Sequence, residues 1–261
     1  MVNAEFKGIP FIKITKNIPS YNFLKGDFGK EIFDEYNSRV KQGFGDNPNL
    51  KALNFSERII KGSNSYIIFL MSEILSKYDL RTANSADVQR IINKDENFLI
   101  GFDVDLGLVL RTQDPKNKYV FIQDPNKYFA KQLGEQAKDR DYEFSSLCPL
   151  VFKPSDLELI VDDNSPSRLG FNIKDSATPF NALELSPKNN NRRFKIANEE
   201  YGMPIFDENG NRRNSLADDG LSSFYLGGDL NLGSWNSYLG GSNLNDTSRI
   251  VVLNDGEEIA A

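Results

Sequence analysis

The stretch FLIGFDVDLGLVLR, residues 98–111, decides how the chain is read. Phe98, Ile100, Phe102, Val104, Leu106, Leu108 and Leu110 share one parity, while Gly101, Asp103, Asp105, Gly107 and Arg111 share the other. Side chains of an extended strand alternate between faces, so this rhythm predicts a half-buried strand, apolar side inward and acidic side toward water. Gly107 is where such a strand would bend or break in two. KYVFIQD, 118–124, is the expected hairpin partner across the DPKN turn.

Upstream the period is that of helices. Ile32, Phe33, Tyr36 and Val40 fall on one helical face and predict a helix over 30–42, with Gly43 as its stop. A second helix is expected over 63–78, capped by Ser63 or Ser65, with Ile67, Ile68, Met71, Ile74, Leu75 and Tyr78 as a wide apolar face. A third runs over 85–94 with Ser85 as cap. The first twenty residues, with Phe11, Ile12 and Ile14 before Pro19, predict an edge strand. Downstream, Asp124-Pro125 fits a cap and first helical position for a fourth helix, 125–138.

From 145 onward helices give way to eight short apolar segments: LELIV, RLGFNI, NALEL, FKIA, MPIF, FYL, DLNL and RIVVL. Such spacing, broken by Pro, Gly, Asn and Asp, predicts a strand-rich and loop-rich second half. The fold class expected is α+β: about four helices packed on a mixed or antiparallel sheet, followed by a β-rich C-terminal region. Residues 1–144 form the first region and 145–261 the second, which is open to sharing the first core.

Composition restricts the chemistry. The 261 residues contain no histidine, which removes Ser-His-Asp and Cys-His nucleophiles and imidazole-based metal sites. Cys148 is the single cysteine, so no intrachain disulfide framework forms; a small buried hydrophobe is its expected role. No Gly-rich phosphate loop is present. The net charge of -6 disfavours general nucleic-acid binding. No signal peptide is recognisable at the N-terminus, and the longest apolar patch, YIIFLM at 66–71, is far too short to cross a bilayer. The expectation is a soluble, cytoplasmic protein without membrane contact.

Three candidate sites follow. Asp103 and Asp105, two apart on the predicted strand, would point the same way and suit one divalent ion, Mg, Mn or Ca, if a backbone oxygen or a third acid such as Asp79 or Asp124 joined. Arg192, Arg193, Arg212 and Arg213 would form an anion site if they shared a face across a hairpin, and Asn209-Gly210 is the expected tight hairpin turn between MPIF and the basic run. DENGNRRNSLAD, from 207, imitates a calcium loop but has Arg212 where glycine is required, so the turn is the expected structure. The third lies in YLGGDLNLGSWNSYLGG, 225–241, where Tyr-Leu-Gly-Gly occurs twice around the only tryptophan. Two copies are too few for a solenoid, so the glycines are expected to reverse short wrapping segments. The alternative is an exposed partner-binding surface built on Trp235, Tyr225 and Tyr238.

The function expected from these features is a non-enzymatic binding or assembly protein with an aromatic and glycine-rich C-terminal surface. Its partner is a protein or a second copy, and it needs no cofactor. The alternative is a divalent-metal-dependent hydrolase or nuclease using Asp103 and Asp105.

Overall fold

The 98–111 stretch is a strand over only part of its length. In the computed structural model, which describes residues 2–13, 20–115, 125–217, 219–234 and 247–255, Glu96–Phe98 is a 3-10 turn and the strand β7 spans Val104–Leu110. It pairs antiparallel with β8 (Leu150–Phe152) and β15 (Leu221–Leu226) inside an eight-stranded sheet. The 118–124 hairpin partner and the Asp124 cap lie outside the described residues.

Both faces of β7 are covered, which corrects the expected wet acidic side. Gly107 lies opposite Phe224 and Asp105 opposite Tyr225, so Leu106 is an extra residue, a bulge that switches the parity of the strand. Leu106 and Val109 therefore enter one core, and Leu108 and Leu110 enter another. Gly107 has φ +142, and a Cβ there would fall 2.0 Å from the Phe152 carbonyl oxygen.

The eight-stranded sheet runs β11 (Phe180–Asn181), β8, β7, β15, β16 (Leu232–Ser234), β14 (Arg212–Leu216), β12 (Arg193–Ala197), β13 (Pro204–Phe206). It is antiparallel among the described pairs except where β14 meets β16. A second sheet orders β1 (Val2–Phe6), β2 (Ile9–Lys13), β3 (Ser20–Phe23), β17 (Val251–Asn254) and β6 (Leu80–Thr82). Residues 2–13 thus form a hairpin whose outer strand, β1, is the sheet edge. Strands from both halves of the chain share these two sheets, since β17 pairs with β3 and β6, and β7 with β8 and β15.

Among the described residues there are four α-helices, α1 (Gly26–Gly43), α2 (Ser65–Ser76), α3 (Ser85–Lys94) and α4 (Pro125–Asp139). In α2 every residue but Glu73 and Ser76 is buried, as befits a helix apolar on all sides. The one acid there pairs with Arg39 of α1 at 2.6 Å. The caps differ from those expected by one residue. Asn64, rather than Ser63 or Ser65, accepts from the Tyr66 and Ile67 amides. Asn84, rather than Ser85, caps α3 in a reciprocal box with Asp87. Amide side chains cap as well as hydroxyls, and the adjacent serines obscured them.

Of the eight expected C-terminal segments, NALEL is a 3-10 turn after two residues of strand, and DLNL is a turn of which only Leu232 enters a strand, β16. β14, within the basic run, is a strand that the apolar pattern did not mark. Strands β4 (Asn54–Ser56) and β5 (Ile59–Lys61) form a small hairpin, and β9 (Leu157–Val161) and β10 (Leu169–Ile173) form a separate one beside α4. The open edge of β10 is met by side chains one helical turn apart. Gln132 Oε1 accepts from the Phe171 amide at 3.0 Å and Gln136 Oε1 from the Ile173 amide at 2.8 Å. Gln136 Nε2 and Arg140 Nη2 donate to the Phe171 and Ile173 carbonyls. A helical turn rises about 5.4 Å and two strand residues about 6.7 Å, close enough for flexible amides to keep step.

Candidate functional site

Asp103 and Asp105 do not present two open carboxylates on one face. Asp103 precedes β7, where its Oδ1 accepts from the Gly228 amide at 2.8 Å and its Oδ2 from the Thr247 hydroxyl at 3.0 Å. The carboxylate ties two loops to the mouth of the strand. Gly228 fits because its backbone lies against Gly101 and Phe102, where a Cβ would stand 2.9 Å from the Gly101 carbonyl carbon.

Asp105 is partly exposed as a residue, but its carboxyl sits in desolvated surroundings. That burial pushes it up to about 6; the like charge of Asp103 adds to the rise, and the Ser63 hydroxyl opposes it. Asp79 follows the far end of the twelve-residue α2, about 18 Å from the Ser63 end, so it does not join them. Asp124 lies outside the described residues. Among the described residues no three His, Cys, Asp or Glu side chains gather into a group able to hold a metal ion.

The Asp105 environment has a measurable consequence. Folding raises this carboxyl from ~3.9 in the unfolded chain to about 6, so the folded chain favours the proton. The resulting cost is absent below the unfolded value, grows as pH rises through the window, and is complete above about 6. Asp105→Asn is expected to raise stability by roughly 2–3 kcal/mol at about pH 8 and to change it little at about pH 4. Urea unfolding at the two pH values checks this; equal effects at both would show that the carboxyl is not desolvated.

The arginine cluster is divided rather than united. β13 and β14 flank β12 on opposite sides, so the Asn209-Gly210 turn carries the chain across β12 instead of closing a hairpin. Asp207 forms the turn, accepting from the Asn209 amide at 2.9 Å through its side chain and from Gly210 through its carbonyl. Neither Asn209 nor Gly210 has a positive φ. Gly210 passes so close to Phe194 that a Cβ would fall 2.2 Å from its carbonyl carbon.

Alternation along β14 then sends Arg212 and Arg213 to opposite faces. Arg212 is buried, which corrects its assignment to an exposed anion site. Its Nε donates to the Leu230 carbonyl at 2.7 Å, its Nη1 to Gln89 Oε1 at 2.9 Å, and its guanidinium stacks 4.4 Å from the Phe194 ring centroid. Desolvation pulls it down to about 10.

Arg213 points outward, directly opposite Arg193 on β12. Lys195 is exposed on the same strand, at the irregularity where β12 meets β13. Ile196 and Ile205, cross-strand neighbours at the end of the sheet, are 52% and 50% exposed. Among the described residues Arg193, Lys195 and Arg213 form no ion pair. Arg192 is exposed too, but it turns aside, stacking 4.0 Å from the Phe206 ring centroid and bonding Asn189.

Tyr225 lies in β15 opposite Gly233, where its ring covers the glycine: a Cβ there would fall 2.2 Å from Tyr225 Cζ. Its ring fills a gap in the sheet. Trp235, Tyr238 and the second Tyr-Leu-Gly-Gly lie outside the described residues. Lys131, on the exposed side of α4, pairs with Glu135 at the limit of contact, 4.0 Å. Cys148 is a free, partly buried thiol in a turn with Ser145.

Among the described residues no helix is long and apolar enough to cross a membrane. Compared with protein-family models, curated proteins and solved structures, the chain shows no significant match.

Proposed function

We propose that this chain is a binding protein that receives an acidic protein segment on the outer face of β14, β12 and β13. The observation that carries this reading is the direct opposition of Arg193 and Arg213, two like charges on neighbouring strands, neither in an ion pair among the described residues. Such a pair is mutually repulsive, and an incoming carboxylate relieves it. Lys195 extends the positive stripe, and the Ile196–Ile205 pair offers apolar area beside it. The sheet edge itself is poorly suited to adding a strand. β13 has three residues and begins with Pro204, which has no amide hydrogen to donate. Recognition is therefore through the face.

Fluorescence anisotropy with a labelled peptide of alternating Glu and Leu tests the reading. Binding is expected, weaker at high salt, and reduced about tenfold or more in an Arg193→Glu, Arg213→Glu double variant. Ile196→Ser with Ile205→Ser is expected to weaken it at all salt concentrations. Peptide affinity unchanged by charge reversal would overturn the reading. Retention on heparin without peptide binding would replace the acidic protein by another polyanion.

A further inference from the structure

Between the first turn of α3 and the eight-stranded sheet lies a cleft of about 390 Å³. Its floor is Leu106, Val151 and Phe224, one residue from each of the adjacent strands β7, β8 and β15. Phe180 and Tyr201 form an aromatic wall, their centroids 4.7 Å apart and their planes tilted by 31°. The volume falls in the range of small-molecule sites, roughly 300–1,000 Å³, and the pairing of apolar floor with a few charged groups is typical of them.

The charges around the cleft are unequally engaged. Asp87 accepts from two nitrogens of Arg81 and from the Asn84 amide, and Arg81 also holds Asp255. Lys153 Nζ donates to the Thr178 hydroxyl at 2.6 Å, which leaves it further hydrogens. Arg90 is different. Its nearest acid is Asp87 at 3.8 Å, beyond hydrogen-bond reach, and among the described residues its guanidinium has no hydrogen-bond partner. Its side chain is nevertheless only 29% exposed. A half-covered planar fork of donors beside an apolar floor is complementary to a carboxylate.

We propose that this cleft binds a small monocarboxylate with a planar apolar body. The body lies over the Leu106, Val151 and Phe224 floor against the aromatic wall, and the carboxylate takes the Arg90 fork with Lys153 in support. Glu200, which also lines the cleft, repels a second negative charge and so selects against dianions. This site stands apart from the outer face of β14, β12 and β13, and neither reading depends on the other.

Isothermal titration with 1-naphthylacetate, and with 1-naphthylmethylamine as a cationic probe of similar shape, tests it. The acid is expected to bind and the amine to bind at least about tenfold more weakly. Arg90→Gln is expected to weaken the acid about tenfold while lowering stability by no more than about 1 kcal/mol, because the guanidinium's one contact in the fold among the described residues is the long, 3.8 Å ion pair with Asp87. Tyr201→Ala is expected to weaken both probes alike. No heat from the acid at about 5 mM, above the ~1 mM dissociation constant of a weak fragment, overturns the proposal. So does equal binding of acid and amine by the wild type, a result that depends on no variant.

Discussion

Arg111→Ala is expected to destabilise the protein by about 3–5 kcal/mol, a large share of the ~5–15 kcal/mol that holds a domain folded. Arg111 follows β7 and is fully buried. Its Nε and Nη2 donate to the Leu185 carbonyl at 3.3 and 3.0 Å, its Nη1 to Ser222 Oγ at 2.7 Å, and its Nη2 also to Ser234 Oγ at 3.1 Å. Ser222 and Ser234 are themselves 2.6 Å apart. One guanidinium therefore fastens the end of β7 to β15, β16 and the 183–185 turn. Truncation removes these bonds, leaves buried acceptors unpaired and opens a cavity. Arg111→Lys keeps the charge but not the planar fork, so it is expected to recover only part of the loss. Denaturant unfolding reads the outcome as a lower midpoint with unchanged slope. A loss under about 1 kcal/mol would mean that the fastening is incidental.

Gly107→Ala is expected to cost about 3 kcal/mol or more, and here two effects add. The φ of +142 is one that a side chain rarely tolerates, and the new Cβ would stand 2.0 Å from the Phe152 carbonyl oxygen. The neighbouring strand cannot simply withdraw, because Leu108 pairs with Phe152 and Val109 with Val151 just beyond. Gly43→Ala is the control: Gly43 ends α1, has no positive φ, and a Cβ there meets nothing within 4 Å. That variant is expected to be neutral or stabilised by up to about 1 kcal/mol. Similar losses at both positions would show that glycine content rather than the bulge geometry governs the effect.

The fold class was readable because its helices carry strong local signals. Tyr36, Val40, Ile67, Ile74, Val88 and Ile91 all reach the core that their spacing assigned to them. What misled was the 98–111 rhythm. A single inserted residue at Leu106 reverses parity, and nothing in the residue types marks a bulge except Gly107 itself. The run VDLGLVL is nearly continuous in apolar residues, a pattern that belongs to strands covered on both sides. Arg111, assigned to water by parity, is instead enclosed by polar groups distant in sequence.

The candidate sites were less legible, for a related reason. Arg212 and Arg213 are neighbours in sequence, yet alternation puts one in the interior and one outside. Arg90 and Lys153 lie far apart along the chain and line one cleft only because the fold brings α3 and the end of β8 to its two sides. No periodicity or motif records such meetings.

The Gln132 and Gln136 amides on β10 bear on how copies of the chain behave at high concentration. By occupying the main-chain groups of Phe171 and Ile173, they act as a plug that imitates an adjoining strand yet ends there, offering no ladder for the next molecule. A short helix thereby shields a two-stranded ribbon that could otherwise seed fibre growth along this side.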